Sequence, residues 1–137
     1  VKKRDRGVCA ACGLDTEAFR EELKRRYFEA YPQTHSYIHA TVLGKSPTVL
    51  AWLEQHGMTI KDVVFTSRGM KDFWQADHTL PVIEGGGGAH WSELRTLCSA
   101  CHRQETKALA ARRAEQRRIA KKEEEHAARR DQVHRAR

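Results

Sequence analysis

The chain has little of what large cores and membrane spans are built from. Among 137 residues there are three Trp, three Tyr and four Phe, so any core is thin. A thin core in a chain of one-domain length needs a staple, either a metal or disulfides. No apolar run approaches the roughly 20 residues of a membrane-spanning helix, so no membrane partner is expected. The opening "VKKRDRGVCAACG" passes from basic residues straight to cysteines. With no apolar h-region there, a secretory leader is not expected, and an intracellular setting is. Cysteine is limited to four residues, all in two CxxC pairs. In a reducing setting such thiols serve as metal ligands more often than as disulfides. Proline and glycine are both absent after Gly88, which leaves the last third of the chain free to form one long helix.

What is present is charge, unevenly placed. The net charge is +7, and residues 103–137 alone hold 12 Lys/Arg and 6 Asp/Glu. The body before them is close to neutral. A basic tail behind a neutral body suits a polyanion, with nucleic acid first. The bland alternative is a solvated helix, because "RRIAKKEEEHAARR" mixes both signs.

Local signals divide the chain. Asp15 or Thr16 caps a helix that stops before Pro32, with Phe19, Leu23 and Tyr27 on one face. "SPTVLAWLEQHG" is a second helix, with Ser46 as N-cap, Pro47 at the first position and Gly57 as the stop. Residues 32–45 and 57–72 read as loops, with Asp62–Phe65 a short strand or helical turn. "FWQADH" and "LRTLC" (94–98) read as strands joined through Gly85–Gly88, a flexible connection. A helix begins at Ser99. Trp74 and Trp91 read as core or wedge residues before base-stacking ones. The expected organisation is a basic lead-in (1–8), a domain over 9–113 and a charged helical tail (114–137). Within the domain, 13–72 is a helical insertion and 73–113 a strand–strand–helix core. The fold class is α+β.

Cys9-x-x-Cys12 and Cys98-x-x-Cys101 can each offer two thiolates to one ion, and four thiolates in a tetrahedron match structural zinc. Four buried free cysteines are the plain alternative. A redox role is weaker, since no βαβ pattern surrounds either pair. Asp77 and His78 are adjacent on a strand and so point to opposite faces. That favours a division of labour between metal binding and proton transfer. His102 is fixed beside Cys101. One carboxylate and one imidazole leave most positions of a hard divalent ion open for water and phosphate.

CxxC, then "DHTLP", then a glycine run, then "LRTLCSACH", in that order, resembles the HNH endonucleases of ββα-metal fold, and most closely those HNH domains carried by annealing helicases. The resemblance covers roughly Cys9 to Arg113 and is weak between about Ala30 and Lys71. It implies a metal-dependent endonuclease hydrolysing DNA phosphodiester bonds with low sequence specificity. It implies DNA as partner, and a helicase or other domain in a longer chain. By the same resemblance His78 is the general base, and Asp77 and His102 hold a catalytic divalent ion (Mg²⁺, Mn²⁺ or Ni²⁺). Cys9, Cys12, Cys98 and Cys101 hold structural Zn²⁺. Arg95, Arg103, Lys107, Arg112 and Arg113 are expected to meet phosphates. One position departs: five residues before Cys98 the family usually has Asn, which orients the base histidine, and here stands Glu93. A catalytically silent zinc module that binds DNA or protein is the alternative that Glu93 keeps open, and an adaptor whose charged helix binds protein is a third.

Overall fold

In the computed structural model, residues 1–33, 43–63, 65–66, 69–88 and 90–135 are described. The elements run α1 (Thr16–Ala30), α2 (Pro47–Gln55), β1 (Phe65–Thr66), β2 (Gly69–Met70), β3 (Trp74–His78), β4 (Leu94–Cys98) and α3 (Ser99–Arg135). The chain forms two units, Val1–His102 and Arg103–Arg137. The division falls earlier than the boundary expected after Arg113. The first turn of α3, through His102, belongs to the first unit.

α1 and α2 start where their caps dictate. The Asp15 carboxylate accepts from the N–H groups of Glu17 and Ala18, satisfying two of the donors a helix start leaves open. Ser46 caps α2, with Pro47 at the first position. Gly57, at φ 65°, makes the left-handed turn after α2. Of the expected loops, residues 34–42 lie outside the described residues. The second loop holds a single 3₁₀ turn (Ile60–Asp62) and the short antiparallel pair β1–β2. Asp62 closes the turn by accepting from the backbone N–H and hydroxyl of Thr59.

The core forms where α1, α2 and the strand pair meet. Phe19 stacks on Trp52 at 4.6 Å and meets the edge of Phe73 at 5.0 Å. Leu23, Tyr27, Leu43, Leu53, Phe73 and Leu97 are fully enclosed. Cys9, Cys98 and Ala100 belong to the same cluster, so the cysteine pairs are rooted in the apolar interior.

β3 and β4 are antiparallel, with Asp77 opposite Arg95 and His78 opposite Leu94. Ser99 N–H donates to Phe73 C=O, joining the start of α3 to the strand pair. The second edge of β4 is closed by the beginning of the chain. Thr96 N–H donates to the Asp5 carboxylate, and Thr96 C=O accepts from Ala10 N–H. Arg4 donates to the carbonyls of Trp91 and Leu94 at 2.9 and 2.7 Å, and also pairs with Asp5. The basic lead-in, residues 1–8, is therefore also a folded brace. Within them the Arg4 and Asp5 charges are matched to backbone groups of Trp91, Leu94 and Thr96, and Lys2 pairs with Glu17 and Asp72.

The second unit is the remainder of α3. Its residues are almost all exposed, and Ile119 and Val133 are the large apolar residues it shows to solvent among the described residues.

Candidate functional site

The Sγ atoms of Cys9, Cys12, Cys98 and Cys101 all lie within 4.8 Å of one another. Those of Cys12 and Cys98 are 3.8 Å apart. Four sulfurs about 2.3 Å from one tetrahedral zinc would be separated by about 3.8 Å, so the donor set fits that ion. The local folds explain the approach. Gly13, at φ 75°, turns the first knuckle, its N–H bonded to Cys9 C=O and Cys9 N–H bonded to Leu14 C=O. The second pair spans the junction of β4 and α3, where Cys101 N–H points at Cys98 Sγ. Burial raises the Cys9 thiol, but N–H donors from Cys98, Cys12 and Ala11 outweigh it and bring the group down to about 7. Burial pushes Cys98 up to about 11 and Cys101 higher still, where the neighbouring thiols add to the effect. Four sulfurs this close do not all ionise unaided, and a bound cation removes the obstacle. Among the described residues this is the one group of three or more potential ligands.

Beside it, at the end of β3, Asp77 Oδ1 lies 4.0 Å from His102 Nε2. Strand geometry supplies the first, and the first turn of α3 supplies the second. Two donors held about 2.1 Å from one ion are about 3.0 Å apart in adjacent positions and about 4.2 Å apart in opposite ones. The pair can thus share an ion. Asp77 Oδ2 is already engaged: Arg95 donates to it from Nε and Nη2, at 3.1 and 3.0 Å. Both carboxylate and guanidinium are partly enclosed. Arg95, expected to meet phosphate, is turned onto the carboxylate opposite it across the strand pair.

His78 follows Asp77 on the strand and by alternation faces the other side. Thr79 N–H donates to Glu93 C=O at 2.8 Å, closing the base of the β3–β4 loop. The Glu93 carboxylate lies over Gly88: a Cβ there would sit 2.1 Å from Glu93 Oε2. The backbone of Glu93 thus steadies the loop next to His78, while its side chain runs back across the glycines.

The glycine run is a folded turn rather than a slack connection. Glu84 and Gly86 N–H groups both donate to Pro81 C=O, and Gly85, at φ 95°, returns the chain. A Cβ on Gly86 would meet the Leu80 carbonyl oxygen at 1.9 Å, so only glycine allows this approach. Trp91, expected in a core or wedge, is 59% exposed. It stacks with His90 at 5.6 Å and lies 5.8 Å from the Arg4 guanidinium. Arg103, Lys107, Arg112 and Arg113 lie on the second unit, the last three exposed.

A ββα core, a four-cysteine knuckle and the order Asp-His, glycines, Cys-His define a member of one nuclease class. Residues 62–108 match the family described as HNH endonuclease, and the chain belongs to that family. It is similar to the protein named DNA annealing helicase and endonuclease ZRANB3. The mouse protein is 34% identical over 115 residues, covering 84% of this chain and 10% of the relative. The human one is 34% identical over 119 residues, covering 86% and 10%. The crystal structure of the human ZRANB3 HNH domain is 31% identical over 86% of this chain and 90% of that one, with a TM-score of 0.46. The chain spans about a tenth of the length of the curated relatives it matches. No helix among the described residues is long and apolar enough to cross a membrane.

Proposed function

We propose that this chain is a metal-dependent endonuclease domain that hydrolyses phosphodiester bonds in DNA with little sequence preference. The observation that carries the reading is the approach of Asp77 Oδ1 to His102 Nε2 at 4.0 Å, one residue from His78 and one from Cys101. Asp77 and His102 hold the divalent ion, with Arg95 fixing the carboxylate so that Oδ1 faces His102. The ion supplies charge stabilisation for the phosphate and the departing 3′ oxygen. His78 accepts a proton from the attacking water at a ring nitrogen, as an imidazole does well near neutral pH. Glu93 stands where the family has Asn, and its C=O bond to Thr79 N–H keeps the loop beside His78 in place.

Cys9, Cys12, Cys98 and Cys101 hold structural zinc, and the knuckle sets the position of His102 through Cys101. Zinc affinity thereby becomes folding stability. Arg103, Lys107, Arg112 and Arg113 supply phosphate contacts. The reading places the domain inside a cell, in a longer chain that a helicase or another module completes. A catalytically silent DNA- or protein-binding module is the second reading, favoured by Glu93 standing where the family has Asn, with its carboxylate lying over Gly88. Plasmid nicking across Mg²⁺, Mn²⁺, Ni²⁺ and Zn²⁺, with His78→Ala as control, separates the two. Nicking with at least one ion, lost in the variant, supports the nuclease; no nicking with any ion removes it.

A further inference from the structure

Among the described residues of the Val1–His102 unit, every large hydrophobic residue more than half exposed lies on one loop. Leu80 is 51% exposed, Val82 57%, Ile83 51% and Trp91 59%, all between β3 and β4. The loop leaves β3 at His78, so Leu80 lies within about 7 Å of that residue along the chain. Any strand whose phosphate reaches His78 passes this surface.

The loop is also built to keep its shape. Its turn is closed by three backbone hydrogen bonds, to the carbonyls of Pro81 and Val82. Gly86 packs against the Leu80 carbonyl, Val82 covers Gly87, and Thr79 N–H is tied to Glu93 C=O. Leu80 and Ile83 are thus carried on a stiff tip. Between His78 and Glu93 there is no Lys or Arg, so the tip has no side-chain cation for phosphate. Its apolar surface and the 59% exposed Trp91 suit bases. The Arg4 guanidinium beside Trp91 adds the cation that an aromatic base platform commonly uses. A protein partner would use the apolar surface equally well, but the position next to His78 favours the nucleic acid.

We propose that the β3–β4 loop is an apolar wedge. Leu80 and Ile83 enter the base stack beside the scissile phosphate, and Trp91 stacks on a base so exposed. The substrate class is DNA whose stack is already interrupted, because unstacking costs least there. The inference rests on the nuclease reading for the position of the phosphate, but its test needs no cleavage.

The test measures binding by fluorescence anisotropy of the full chain, without added divalent metal. The probes are an intact duplex and the same duplex carrying two unpaired thymidines flanked by 2-aminopurine. The wild type should prefer the interrupted duplex by about tenfold and brighten the 2-aminopurine. Leu80→Ser/Ile83→Ser should abolish the brightening and the preference, with intact-duplex affinity unchanged. Trp91→Ala should reduce the preference alone. Both variants change exposed side chains, and unchanged melting temperatures verify their folds. Equal binding of the two duplexes by the wild type overturns the proposal. So does a preference that survives in both variants, or a loop double variant that loses only self-association, which assigns the surface to protein. Unstacking without nicking under any metal would remove the nuclease reading and leave the wedge. Nicking with no loop effect would do the reverse.

Discussion

Arg95 holds Asp77 from directly across the β3–β4 pair, donating twice to Oδ2 while Oδ1 is left facing His102. A guanidinium so close both orients the carboxylate and opposes an incoming cation. At about 5 Å, a guanidinium and a divalent cation repel by about 2–7 kcal/mol for effective dielectrics between water and a protein surface. Arg95→Ala should therefore lower the divalent-ion concentration at half-maximal nicking, by about fivefold or more. It should also lower the maximal rate, because Asp77 loses its fixed rotamer. A metal titration of nicking reads both. A rise in the half-saturating concentration would show that orientation outweighs repulsion.

His78→Ala should cut nicking by about 10²–10⁴, the usual weight of a general base. DNA affinity and melting temperature should stay near wild type, since His78 is neither enclosed nor part of the cysteine cluster. Glu93→Asn is the companion variant. A faster rate identifies Glu93 as an impairment of the site, and a slower one identifies it as a working member.

Purified protein should contain one zinc per chain. Strong chelation should unfold the body, with loss of the Phe19–Trp52–Phe73 packing followed by tryptophan fluorescence. Cys98→Ser should be among the most damaging single changes, because Cys98 is 1% exposed and ends β4 where α3 begins. A folded, reduced sample without zinc would refute the four-thiolate site.

Acid should weaken the brace at the start of the chain. The Arg4 guanidinium, reinforced by the N–H of Thr96, holds the Asp5 carboxyl well below the usual carboxylate range. A folded-state value below the unfolded one contributes stability that is present above about pH 4 and lost as pH falls. Asp5→Ala should cost about 1–3 kcal/mol near neutrality, the range for a hydrogen bond to a charged group. It should flatten the fall in stability below pH 4. Urea unfolding at pH 7 and at pH 3 checks the sign.

Truncation after Arg113 should weaken DNA binding at physiological salt and flatten the dependence of log affinity on log salt. Each phosphate contact removed accounts for about 0.9 of slope on duplex DNA. Metal dependence should not change. An unaltered slope would mark the distal helix as solvated or protein-binding.

Much of this layout was legible because it is written in local chemistry. "LRTLC" forms β4 over the expected residues, Asp15 and Ser46 cap the expected helices, and the two CxxC pairs converge. The strand and the caps depend on period and capping groups, which neighbours alone carry, and the convergence of the two distant cysteine pairs follows from the four thiols that one ion takes. The Arg4–Asp5 brace was not legible: its partners are carbonyls and an N–H about 90 residues away, and no local pattern encodes them. Of the two expectations for Trp91, core or wedge, its exposure removes the core: ring size argues for burial, whereas here the chain turns it out of a loop. The Asp77–Arg95 pairing could have been found. Two five-residue strands aligned at His78 and Leu94 put those charges opposite one another, a favourable cross-strand pair.

The four thiols come from the two ends of the body, Cys9 and Cys12 from one and Cys98 and Cys101 from the other. During synthesis at about 5–20 residues per second, the first pair exists for several seconds before the second leaves the ribosome. The cluster cannot close until then, and His102, the next residue made, arrives with it. A nascent or truncated copy lacking this last knuckle therefore also lacks the histidine opposite Asp77. The order of the residues along the chain delays assembly of the site until the fold around it is complete.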